Sequence, residues 1–335
     1  MTDFQVPEKP FRAENHSEDD QDGPGPVVIV TGPTASGKSG LALALAEQAQ
    51  GTIINADSMQ VYRDLRVLTA RPSAAEEARV PHRLFGVLDA EERCSVGRWL
   101  ELAVQTIDEV RAAGRLPIVV GGTGMYLKAL TEGLAPVPDV APDVTAQATA
   151  LYEEIGGEAF QGRLAALDPA SAEALPPGDR QRLIRAYAVV TATGRTLGAW
   201  QSDAPAEQPV AARFVTVLVM PDRVGLYAAC DGRFADMLAA GAMDEVKALL
   251  ARGLDPSLPA MRAVGVPELG AVIRAEMELE QAADKARQAT RNYAKRQITW
   301  CRHQLSPDVV LEKGGQEAAV QVLEKLRKAN VVRDV

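Results

Sequence analysis

The chain has 335 residues, 47% of them hydrophobic and 24% charged, with a net charge of −9. That length allows one large domain with an insert, or two domains, and no apolar run approaches the ~20 residues of a membrane span. Residues 1–25 are polar and acidic without an apolar signal-peptide core, which argues against secretion.

Charge is unevenly distributed. Residues 1–25 hold seven acids against two bases and read as a solvated, disordered extension, whereas residues 281–302 hold six bases against one acid. A basic stripe attracts polyanions even on an acidic protein. Cys94, Cys230 and Cys301 are scattered and the histidines number three, so no zinc cluster is expected and the thiols read as reduced in a cytoplasmic protein.

In chain order, residues 27–31 form a β-branched run between Pro26 and Gly32 and predict a buried strand. A helix-favouring run of leucine and alanine follows Lys38. Strands are expected at residues 52–55 and 116–120, with a helix at 96–113 between them. Strands alternating with helices imply a doubly wound parallel sheet, here an α/β core over residues 26–138. A Pro-rich stretch at 136–142 marks a boundary, after which residues 139–210 read as a helical insert, with helices at 145–155, 159–167, 170–175 and 180–193. Residues 214–220 return to strand character, helices are expected at 233–252 and 282–303, and residues 306–335 read as a C-terminal extension.

Gly32, Pro33, Thr34, Ala35, Ser36, Gly37, Lys38 and Ser39 fit G-x-x-x-x-G-K-[ST] without a mismatch. Glycines let backbone N–H groups converge on phosphate oxygens, the lysine neutralises charge, and the Ser39 hydroxyl can ligate Mg²⁺. The helix beginning here adds its N-terminal partial charge. A plain Gly-rich turn would not need both the strand before and the helix after. The strand at 116–120 ends in Gly121-Gly122-Thr123-Gly124, not in the acid expected of a nucleotide-hydrolysing motor, which favours group transfer from a held diphosphate or triphosphate. Asp57 lies just beyond the strand at 52–55, where ligands of open α/β sheets bind, and Thr123 faces the same crevice. Taken singly, Asp57 could be only a helix N-cap and Thr123 only a turn hydroxyl.

The ordered set resembles a known family closely. The phosphate loop, Asp57-Ser58-Met59-Gln60-Val61-Tyr62, Pro81-His82, Gly121-Gly122-Thr123-Gly124-Met125-Tyr126, Gln181-Arg182-Leu183-Ile184-Arg185 and Thr290-Arg291-Asn292-Tyr293-Ala294-Lys295-Arg296-Gln297 look like the tRNA dimethylallyltransferases, over residues 27–303. The resemblance implies a P-loop NTPase-like fold and transfer of a dimethylallyl group from dimethylallyl diphosphate to N6 of the adenosine 3′ of the anticodon. It gives Asp57 the role of base, Thr123 a hydrogen bond at the adenine, and Lys38, Arg233 and Mg²⁺ at Ser39 the leaving diphosphate. Its tRNA-contacting segments map to Asp57–Gln60, Thr123 and Gln181, Arg182, Leu183, Ile184 and Arg185.

Arg291 and Lys295 share a face of the later helix with Arg287 and Arg302, and read as a tRNA-facing stripe on a monomer. Thr145 stands where the family often contacts tRNA through arginine, Arg83 where it often has a second histidine, and Val266-Pro267 where it has a tyrosine-containing pair. Three alternatives stay open: an adenylate isopentenyltransferase, a P-loop small-molecule kinase using ATP, and a non-catalytic RNA-binding protein.

Overall fold

Alternate residues of the first strand bury in opposite directions, Val27 and Ile29 into one core, Val28 and Val30 into another. A strand covered on both faces reads as a continuous apolar run, which is what its sequence shows. The computed structural model describes residues 25–203, 208–329 and 331–332; apart from Gly25, the acidic tail lies outside them. The strands are β1 (Pro26–Thr31), β2 (Gly51–Asn55), β3 (His82–Arg83), β4 (Leu116–Gly121), β5 (Arg213–Val219) and β6 (Val309–Leu311). They form one sheet, every pair parallel, in the order β3-β2-β4-β1-β5-β6. The β1 carboxyl end is therefore central, flanked by the ends of β4 and β5.

The helices are α1 (Lys38–Gln48), α2 (Ala74–Arg79), α3 (Val96–Ala112), α4 (Gly124–Glu132), α5 (Pro142–Ala165), α6 (Pro169–Ala174), α7 (Arg180–Thr193), α8 (Leu197–Gln201), α9 (Arg223–Ala239), α10 (Ala242–Ala251), α11 (Val266–Ile273), α12 (Leu279–Gln304) and α13 (Gln316–Lys328). One face of the sheet is covered by α1 and α13, the other by α3, α4 and α9 to α12. Leu41 to Ala46 are all buried, so α1 is apolar all round. Such a helix needs cover on two sides; the sheet supplies one and Ala319, Val322, Leu323 and Leu326 of α13 the other. The segment that reads as a C-terminal extension thus supplies the edge strand β6 and the covering helix α13.

The chain divides into two units, one reaching Leu130 and resuming at Val210, the other Thr131–Pro209. The second unit holds α5 to α8 around Phe160, Leu164, Leu183, Ala186 and Val190. Gly156 interrupts α5 at φ 76° and ψ 166°, separating two helical runs. The helix expected over 233–252 is two: α9 begins at Arg223, capped by the Asp222 carboxylate, and Gly241 at φ 99° turns the chain into α10. Among the described residues no helix is long and apolar enough to cross a membrane.

Candidate active site

The phosphate loop leaves β1 at Gly32, where a Cβ would stand 2.2 Å from the Val219 carbonyl oxygen. Only glycine fits between β1 and β5 there. Ala35 is left-handed at φ 62° and Gly37 at φ 86° caps α1; the alanine costs roughly 1–2 kcal/mol, a strain that the surrounding loop must hold. Ser36 is buried and its Oγ has no hydrogen-bond partner among the described residues. Lys38 donates from Nζ to the Pro33 carbonyl at 3.2 Å. Burial brings its pKa down to about 8; Asp57 pulls it back up and Arg233 pushes it further down. A desolvated ammonium, with an unpartnered hydroxyl two residues before it in the same loop, suits an anion. Ser39 opens α1 with an exposed side chain.

Beyond β2, Asn55 is fully buried and its carboxamide works on both sides. Its Oδ1 accepts from Asp57 N at 2.9 Å while Nδ2 donates to the carbonyls of Asp57 at 3.0 Å and Leu84 at 3.1 Å. Asp57 Oδ1 in turn accepts from Met59 N at 2.9 Å and, weakly, Gln60 N at 3.4 Å. The bland reading of Asp57 as a turn cap is therefore true of one oxygen, and the other carries no such bond. Thr123 Oγ1 accepts from Ser58 N at 2.9 Å, and Thr123 N donates to the Ala56 carbonyl at 3.2 Å. A Cβ on Gly121 would meet that same carbonyl oxygen at 2.1 Å, so the β4 turn lies flat on the β2 turn. Gln60 faces inward, donating to the carbonyls of Thr69 at 2.8 Å and Ala70 at 3.1 Å.

Arg233 on α9 joins the phosphate loop to the segment carrying Thr69. Its guanidinium donates to Thr34 Oγ1 at 3.3 Å and to the Thr69 carbonyl at 3.2 Å. Burial lowers its pKa while Asp57 raises it. The loop carrying Thr69 is latched by Glu245, whose carboxylate accepts from the backbone N–H of Arg66, Val67 and Leu68 at 2.6, 2.7 and 2.9 Å. A cavity of about 280 Å³ opens here, lined by the polar Thr34, Asp57, Ser58, Arg233, Tyr293 and Arg296 and the apolar Met59, Leu68, Phe234 and Met237.

The helix α12 closes the site. Tyr293 lies beside Thr123, and its phenol is pushed up in pKa first by burial, then by Asp57. Gln297 accepts from Thr34 N at 2.8 Å and donates to the Gly122 carbonyl at 3.0 Å. Neither was singled out from the sequence, although their spacing of four on an amphipathic helix puts both on one face.

The structure corrects part of the tRNA stripe. Arg291 bonds Asp231 on α9 at 2.6 Å and Gln288 at 2.9 Å, and Arg287 bonds Asp284 at 2.7 Å; Lys295 is exposed. In the helical unit Thr145, Gln181, Arg182 and Arg185 are exposed, with Arg182 paired to Asp179. Leu183 and Ile184 are 0% and 6% exposed. Both side chains pack that unit's core, Leu183 from the face opposite Gln181 and Arg185 and Ile184 from its flank, so neither is presented for contact.

With this geometry in hand, comparisons place the chain. A family model described as "IPP transferase" matches residues 60–304, and one described as "Isopentenyl transferase" matches residues 25–90. The chain is 57% identical over 281 residues to a tRNA dimethylallyltransferase of Rhodospirillum centenum, covering 84% of this chain and 90% of that one. It is 56% identical to the same-named protein of Rhodospirillum rubrum, covering 87% and 89%. A tRNA isopentenylpyrophosphate transferase structure from Bacillus halodurans superposes with a TM-score of 0.63 at 30% identity, over 91% of this chain and 98% of that one. The fold is also shared with a eukaryotic dimethylallyltransferase acting on tRNA, at a TM-score of 0.77 and 24% identity over 92% and 81%.

Proposed function

The chain belongs to the IPP transferase family, and from that membership we propose that it is a tRNA dimethylallyltransferase, moving a dimethylallyl group from dimethylallyl diphosphate to N6 of the adenosine 3′ of the anticodon. One observation carries the assignment of roles: Asp57 and Arg233 line one cavity, with Thr123 bonded to Ser58 in its wall and the Lys38 ammonium near enough to feel the charges of both.

The adenine amine is a weak nucleophile because its lone pair is delocalised into the ring. As N6 bonds to the allylic carbon, the C–O bond to the diphosphate breaks and the electron pair leaves with the diphosphate. The N6 proton passes to the free oxygen of Asp57. The Met59 N–H holds that carboxylate against rotation, and the Asn55 amide holds the Asp57 backbone. Thr123, oriented by Ser58 N, hydrogen-bonds at the adenine. Lys38 and Arg233 receive the charge gained by the diphosphate. Reaching N6 requires the base to leave the anticodon stack.

Mg²⁺ fits this donor set. Among the described residues no cluster of three or more His, Cys, Asp or Glu side chains could hold a metal. The cation would take the Ser39 hydroxyl, with the remaining oxygens coming from substrate and water, as Mg²⁺ commonly does. When bound it neutralises leaving-group charge.

The test is to incubate the protein with radiolabelled dimethylallyl diphosphate and either tRNA or AMP. Label in the tRNA at the adenosine 3′ of the anticodon supports the reading. Label in AMP alone would make it an adenylate isopentenyltransferase, and phosphoryl transfer from ATP without prenylation would make it a kinase.

A further inference from the structure

We propose that Gln297 is a positioning residue that couples the donor loop to the acceptor turn, a role that rests on the transfer reaction proposed above. The side chain is 6% exposed. It spans two segments that are 263 and 175 residues away in the chain, Thr34 in the phosphate loop and Gly122 in the β4 turn. One partner is an N–H and the other a carbonyl, so the bridge needs one acceptor and one donor on the same short planar group. A carboxamide has both; a carboxylate only accepts and a cationic side chain only donates. Gly122 completes the fit, since a Cβ there would stand 2.2 Å from Gln297 Nε2 and 3.0 Å from the Gly32 carbonyl oxygen.

Each end leads to the chemistry. Thr34 also accepts from Arg233 through Oγ1, so its position sets where the guanidinium lies. Thr123 follows Gly122 and orients on Ser58, next to Asp57. Tyr293, one helical turn before Gln297, lines the same cavity as Asp57. The same helix thus fixes donor and acceptor machinery to one ruler. The Thr34 N–H points at Gln297 and is not among the loop amides offered to phosphate. Losing the bridge leaves each substrate its own contacts but loosens the distance between the allylic carbon and N6. Misplacement by about 1 Å costs on the order of 10²-fold in rate.

Three variants test this: Gln297→Glu, which keeps the acceptor but sets an oxygen against the Gly122 carbonyl; Gln297→Met, which keeps the shape without either bond or a buried charge; and Gly122→Ala, which pushes the amide aside from the opposite end. Single-turnover transfer to tRNA, both Michaelis constants, a melting curve and hydrogen exchange at Thr34 N–H are measured for each and for the wild type. The expected result is a fall of roughly 10- to 100-fold in the transfer step, Michaelis constants for donor and tRNA near wild type, a cooperative melt, and faster exchange at Thr34. Normal transfer in Gln297→Met, or a loss fully accounted for by the unfolded fraction, overturns the proposal. If the wild type prenylates no tRNA, the reaction reading fails instead, while unchanged Thr34 exchange in the variants removes the bridge independently.

Discussion

In the phosphate loop the chemistry resides in backbone; along α12 it resides in side chains whose partners come from distant parts of the chain. Residues 32–39 need glycines at fixed offsets because N–H groups must converge and because Gly32 has the Val219 carbonyl against it. Such demands are local, so the segment reads from sequence with its function attached. On α12 the identities alone mislead: Arg291 looks like a phosphate ligand until Asp231 is found 2.6 Å away, and Gln297 looks like an ordinary polar residue until both its bonds are traced. A periodic pattern says which residues share a face. It does not say what the face meets.

The sharpest way to break the comparison is at Asp57, which combines both kinds of demand. One oxygen holds the turn and the other is assigned the proton. Asp57→Asn keeps an acceptor for Met59 N–H, so the turn and tRNA binding should persist while the transfer rate falls by roughly 10²- to 10⁴-fold, the range for losing a general base. Single-turnover kinetics beside a tRNA titration check this. A normal rate would leave Asp57 only its capping role.

Lys38 comes next. Its pKa in the free protein is lowered by burial from 10.5 to about 8. Below pH 8 the ammonium is charged and meets the diphosphate. Above it the free protein loses that charge, so kcat/KM for the donor should fall by about tenfold per pH unit, as for loss of one proton. Bound diphosphate favours the cation, so kcat at saturation should hold to higher pH. Stability moves oppositely: below pH 8 the folded state bears the full cost of the buried cation, and between 8 and 10.5 the unfolded chain binds more protons, so stability rises. A donor profile flat through pH 9.5, or one unchanged in Lys38→Met, would remove the lysine from donor binding.

How much was legible follows the same division. The parallel sheet, the loop, Asp57 and Thr123 came from runs and turns whose causes are local, and the family resemblance supplied Arg233. Residues 306–335 read as an extension because nothing in their pattern names α1 as partner, although the all-round apolar face of Leu41 to Ala46 already called for a second cover. Leu183 and Ile184 were carried along with their motif; helical spacing alone puts Leu183 opposite Gln181 and Arg185, and the core buries both. Glu245 gave no signal at all, since a carboxylate holding three backbone N–H groups 177 to 179 residues away is purely tertiary.

The smallest effect separates the two cations on α12. Lys295 is exposed, so a phosphate contact there would release counterions, and Lys295→Ala should flatten the dependence of log affinity on log salt by about 0.7 for single-stranded or 0.9 for duplex contact. Arg291 is ion-paired, with its side chain 25% exposed against 40% for Asp231. Losing a pair so open to water costs up to about 1 kcal/mol. Arg291→Ala should therefore lower the melting temperature slightly and leave the salt slope alone, and Asp231→Ala should do the same, because each removes one half of the same pair. Neither should move the Michaelis constant for dimethylallyl diphosphate. The informative reversal is a flattened slope in Arg291→Ala with an unchanged melt: it would mean that tRNA draws the guanidinium away from Asp231. In that case Asp231→Ala should strengthen tRNA binding, since the competing carboxylate is gone, and a titration of that variant at several salt concentrations decides between the two.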